Sequence, residues 1–95
     1  MADFRVDPDE LDALAAELRR RRERLAQVRE ELATSAAKVS GQWAGEARER
    51  FVAAQGGWQR DQQGQEEALE RAASVALEAA AAYREVDRAV KEMFE

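Results

Sequence analysis

Apolar residues recur along the first half of the chain in alternating steps of three and four. They fall at Leu11, Leu14, Leu18, Leu25, Val28, Leu32 and Val39, with Arg21 and Ser35 as polar interruptions. This spacing describes one stripe of a long helix, a coiled-coil-like seam. Asp7 suits an N-cap, Pro8 the first helical position and Glu10 the far side of a capping box. Val6 and Leu11 stand at hydrophobic-staple positions, and residues 1–6 read as a loose arm. The pattern predicts a first helix over about residues 8–39. At ~1.5 Å per residue such a rod is roughly 50 Å long, and it needs a packing partner along its length.

A second stripe runs through Ala47, Phe51, Ala54 and Trp58, and resumes at Leu69, Ala72, Ala76, Ala79, Tyr83, Val86, Val90 and Phe94. It predicts a second helix over about residues 46–93. The stretch between Trp58 and Leu69 is polar, and Gly56, Gly57 and Gly64 each weaken a helix by about 1 kcal/mol relative to alanine. No proline or turn cluster interrupts it, so the expectation is one helix, bent at most. The competing expectation is a break near Gly56-Gly57 and three helices. Between the two stripes, Ser40-Gly41 offers a helix stop with Gly41 left-handed, and Gly45 frees the backbone where the chain turns back. The bend then covers about residues 40–45 and carries Trp43. The fold class is all-α: a single-domain hairpin, residues 1–95, of two long antiparallel helices.

Composition sharpens this picture. Of the hydrophobic residues, 21 are alanine, against seven leucines, seven valines and no isoleucine. Helices of this kind approach closely but cannot fill a thick core, and a lone hairpin is not self-sufficient at this size. The physical remedy is pairing of two hairpins into a four-helix bundle. The seam residues Leu11, Leu14, Leu18, Leu25, Val28, Leu32, Phe51, Trp58 and Leu69 are the expected hairpin or dimer interface.

The chemistry available is narrow. The chain has no histidine and no cysteine, hence no thiol chemistry and no imidazole base or ligand. With no glycine-rich phosphate loop either, no catalytic, metal or cofactor site is expected. The net charge is −5 and neither half is basic overall, which argues against nucleic acid as a partner. No apolar run is long enough to span a bilayer, and no ordinary secretory signal peptide is expected. The run Arg19-Arg20-Arg21-Arg22 reads as a solvated face with Glu17–Arg21 and Arg19–Glu23 at helical spacing, rather than as a site for an acidic partner. The acids Glu66, Glu67 and Glu70 read likewise as solvated surface.

Trp43-Ala44-Gly45, followed by Ala47 and Phe51, resembles the WXG (Esx-like) family of small type VII secretion substrates. The likeness continues in Tyr83-Arg84-Glu85-Val86-Asp87, which matches that family's Tyr-x3-Asp/Glu export signal, with Val90 and Phe94 in its wider form. The resemblance covers nearly the whole chain. It implies a helical hairpin that pairs antiparallel, as a homodimer or with a related WXG-type protein. It implies export of the folded dimer, without a cleaved signal peptide, from actinobacteria and related Gram-positive bacteria. It also implies that an FtsK/SpoIIIE-type membrane ATPase reads the tail.

The residues suit such a task. Tyr83 and Asp87 share a helix face that Val90 and Phe94 extend, the anchor pattern of a helix docking in a groove. In an antiparallel pair, Trp43 and Gly45 of one bend lie beside the tail of the other chain. The expected signal is therefore two-part and readable only on the dimer. Self-pairing suffices, because both parts occur in one chain. The alternative is a cytosolic helical adaptor that pairs with another helical protein and is not exported.

Overall fold

The computed structural model describes residues 6–95. Two helices account for almost all of them: α1, Pro8–Ser40, and α2, Gly45–Met93. They run antiparallel as a hairpin with extents of 75 × 24 × 17 Å. The radius of gyration is 21.7 Å, against ~13 Å for a compact chain of similar length. A rod this slender has almost no interior, and its packing reflects that.

Each helix end has a local cause. Asp7 takes an extended conformation, and its Oδ1 accepts the Asp9 N–H at 2.9 Å, with Pro8 in the first helical turn. The side chain caps the amide of the second helical position rather than the third, so the bond expected of a capping box goes to Asp9 and not Glu10. At the other end of α1, Gly41 is right-handed (φ −65°, ψ −19°), contrary to the left-handed stop expected there. The left-handed residue is Gly45, at φ 64°. The chain leaves α1 by tightening: the amides of Gln42 and Trp43 bond to Val39 and Ser40 carbonyls at 3.0 and 3.2 Å. The reversal is completed only at Gly45.

α2 runs unbroken through Gly56, Gly57 and Gly64. Gly56 and Gly57 are half-buried, with the Arg60 guanidinium within 4 Å of where their Cβ atoms would stand, and packing along the rod holds α2 helical in spite of their low propensity.

The contact between the helices is made of alanines. Ala15, Ala73, Ala76 and Ala80 are the buried residues among those described, with Leu18 and Leu77 packed against them. Around this thin spine the helices are latched by ion pairs. Arg29 holds Glu66 at 2.7 Å with side chains only 21% and 13% exposed, which makes it the most sheltered latch. Arg19 and Arg22 both reach Glu70, at 3.1 and 2.7 Å, and Arg84 bridges Asp9 and Asp12 at 2.7 Å each. The arginine run is thus only half a solvated face. Arg20 and Arg21 pair locally with Glu17, as helical spacing suggests, but Arg19 crosses to Glu70 instead of taking Glu23. Glu66 and Glu70 are structural latches, not free surface.

Hydrogen bonds from Arg19, together with its charge and that of Arg22, hold the Glu70 carboxyl below its ordinary value of 4.5. A carboxylate depressed in the folded state stabilises above its unfolded pKa, and that contribution is lost as pH falls through the folded value. Thermal stability should therefore be flat from neutrality down to about pH 4.5 and decline below it. Glu70→Gln should lower stability at neutral pH and make the acid decline shallower. Thermal melts of both proteins across acidic pH check this.

The large apolar residues lie elsewhere. Leu14, Val28, Leu32 and Val39 are 39–49% exposed, so the part of the predicted seam they form does not face α2. The residues of α1 turned toward α2 are Leu11, Ala15, Leu18, Arg22, Ala26, Arg29, Ala33, Ala36 and Ser40, all buried or half-buried. At 3.6 residues per turn the two stripes are roughly 90° apart. α1 thus turns mainly small and charged residues toward α2, and Leu14, Val28, Leu32 and Val39 to one open side.

Candidate functional site

The residues singled out for recognition fall at opposite ends of the rod. At the bend, the Trp43 ring leans on Phe51, with centroids 5.0 Å apart and planes tilted by 53°. Phe51 lies in the second turn of α2, so Gly45 and the bend together fold the indole back onto its own helix. Trp43 nevertheless stays 43% exposed. A shallow depression lined by Trp43, Glu46, Ala47, Arg50 and Phe51 surrounds it. Glu46 sits in the first turn of α2, where its charge suits the helix dipole, and it holds Arg50 at 2.6 Å. Ala44 supplies no side-chain cap, so the N-terminal amides of α2 are left accessible beside Trp43.

At the far end, α2 outruns α1. Arg84 reaches back to Asp9 and Asp12 in the first turns of α1, which marks where the pairing stops. Beyond it about ten residues of α2 project as a single helix with every side chain exposed. Tyr83 stands at its base and Val86, Val90 and Phe94 lie along it, from 42% exposed at Tyr83 to 84% at Phe94. Met93 is the last helical residue, and Phe94 follows as the C-cap, its N–H bonded to the Lys91 carbonyl at 3.1 Å. Phe94 therefore ends the stripe just off the helix. Asp87 shares a surface with Arg84, Arg88 and Lys91. Arg84 is engaged with Asp9 and Asp12, and Arg88 with Glu85 and Glu92. The Asp87 carboxylate is exposed at the edge of the apolar stripe.

Between the ends, the open side of the hairpin carries an apolar groove. Arg21, Arg24, Leu25, Val28, Gln65, Ala68 and Leu69 line it. Of the expected interface residues, Leu11, Leu18, Leu25, Phe51, Trp58 and Leu69 are half-buried within one chain, whereas Leu14, Val28 and Leu32 are exposed. Sequence reasoning missed Arg24 and Gln65 in this groove. Both stand one helical turn from seam positions, a signal that was available in the spacing.

One chain does not bring Trp43 and Tyr83 together. They are separated along α2 by roughly 60 Å, most of the length of the rod. Among the described residues no group of acidic side chains could hold a metal ion, and no helix is long and apolar enough to cross a membrane.

Comparison with known proteins places this geometry. A family model described as proteins of 100 residues with WXG matches residues 3–88. Among solved structures, the crystal structure of a secreted protein ESXB from Bacillus anthracis str. Sterne superposes with a TM-score of 0.80. The two are 22% identical over 92% of this chain and 99% of that one, a likeness of fold. No curated protein sequence matches the chain.

Proposed function

The chain belongs to the family of proteins of 100 residues with WXG, and from that premise we propose that it is a small substrate of a type VII secretion system, exported folded as an antiparallel dimer. The signal is two-part: Trp43 and Gly45 at the bend of one chain, and Tyr83, Asp87, Val90 and Phe94 on the tail of its partner. The observation that carries this reading is the projection of α2 beyond α1, which leaves an aromatic and apolar stripe with one carboxylate uncovered. Folding normally hides such a stripe, and a free helix that displays one is built to dock in a groove. The receptor in this reading is an FtsK/SpoIIIE-type ATPase, with Asp87 setting register against a basic group. The dimer partner is a second copy or a related WXG-type protein. The likeness in fold to a protein described as secreted supports the same direction.

Trp43→Ala and Tyr83→Ala should each remain helical and dimeric, by circular dichroism and light scattering, yet vanish from the culture supernatant of the host. The unsubstituted protein should be found outside the cell only when the secretion ATPase is intact. Normal export of both variants overturns the two-part signal. Retention of the unsubstituted protein inside the cell favours the cytosolic adaptor instead.

A further inference from the structure

The open side of the hairpin is complementary to itself in one register. We infer that it seats a second copy of this chain with a two-fold axis level with the Ala26–Gln27 peptide of α1 and the Gln63–Gly64 peptide of α2. This rests on the paired reading above and adds its register and the residues that choose it.

The axis follows from spacing. Two hairpins laid face to face and antiparallel about an axis across the rod put α1 on the partner's α1 and α2 on the partner's α2. Each helix must then match its own stripe read backwards. On α1, Leu14 and Val39 are equidistant from the Ala26–Gln27 peptide, and so are Leu25 and Val28. Leu14 therefore meets the partner's Val39, and Leu25 meets the partner's Val28.

On α2 the same test gives a second centre. Trp58 and Leu69 are equidistant from the Gln63–Gly64 peptide, as are Gln62 and Gln65. The Trp58 ring thus meets the smaller side chain of the partner's Leu69. The two glutamines meet each other as amides that both donate and accept.

One axis serves both centres. Ala15 and Ala76 pack together in the core. Eleven residues along α1 from Ala15 is Ala26, and eleven back along α2 from Ala76 is Gln65. The centres are therefore level to within a residue or two, about 1.5–3 Å. The groove lined by Arg24, Leu25, Val28 and Gln65 straddles that level.

Polar residues exclude the alternatives. The apolar positions alone tolerate a slip of one heptad. A slip one way sets Gln65 against the partner's Leu69, and the other way sets Trp58 against the partner's Gln62. Both bury an amide against apolar surface without its partner. Charge agrees: in the chosen register Arg24 comes within reach of the partner's Glu31, an exposed carboxylate on α1. Arg21 interrupts the apolar stripe, and its stem can lie across the partner's Leu32 while its head keeps Glu17. The same register sets Tyr83 opposite the partner's Ala44, next to the partner's Trp43.

Engineered cysteines test the register, since the chain has none of its own. Leu14→Cys and Val39→Cys, at exposed positions, are mixed unfolded, refolded together and oxidised. The mixture should yield on the order of ten times more disulfide-linked dimer than either variant alone, because like positions lie ~37 Å apart across the axis. A dimer by light scattering that gives no mixed link overturns the register and leaves pairing intact. Linking of either variant with itself means parallel pairing and also overturns it. A monomer at every concentration overturns both the register and the paired reading.

Discussion

Ala73→Leu should destabilise the hairpin by about 1–3 kcal/mol, the usual cost of forcing extra methylenes into a packed contact. Ala73 is fully buried between α1 and α2, where it packs with Ala15 and Ala76. The extra methylenes of a leucine there push the helices apart along the rod. Separation also strains the latches that Arg19 and Arg22 make to Glu70, one turn away. For a domain of this size each kcal/mol lowers the melting temperature by about 4–8 °C. Melts at one fixed protein concentration measure the loss, since pairing makes stability concentration-dependent. Ala82→Leu, at an exposed position of the same helix, should be nearly neutral. Equal losses from the two variants would show that the alanine spine does not hold the hairpin.

Gly45→Val should cost about 1–2 kcal/mol through the backbone alone, because φ is 64° there and a β-branched residue rarely adopts it. Nothing lies within 4 Å of the position a Cβ would take, so crowding plays no part. Gly45→Asn should recover much of the loss, since asparagine tolerates the left-handed region. Gly41→Ala makes the contrast. Gly41 is right-handed, and a Cβ there would sit 3.5 Å from the Lys38 carbonyl oxygen, an ordinary contact. That substitution should be neutral or stabilise by about 0.4–1 kcal/mol through the unfolded chain. Denaturant melts of the four proteins rank these effects, and a larger loss at Gly41 than at Gly45 would refute the assignment of the turn.

The two glycines illustrate how far local reasoning carried. A bend between Ser40 and Glu46 was legible because two apolar stripes end there and small residues fill the gap. Which glycine is left-handed was not, because both satisfy the same rule and only the path of the returning helix distinguishes them. The arginine run repeats the point. Arg21 pairs with Glu17 along its own helix, a contact readable from spacing. Arg19 leaves its local partner for Glu70, 51 residues away, which no local rule anticipates.

What the order of residues determined by itself was periodic: two long helices, a cap at Asp7, a bend at Trp43, and apolar stripes too thin for a lone domain. These follow from φ/ψ preference and from a repeat near 3.6, and both act over a few residues. Tertiary structure alone decided which stripe each helix turns to its neighbour. Close approach favours alanine over leucine, and carboxylates one turn apart on α2 draw arginines from α1, so the smaller stripe closes inward. Leu14, Val28, Leu32 and Val39 are thereby left on the open side, where a second surface can cover them.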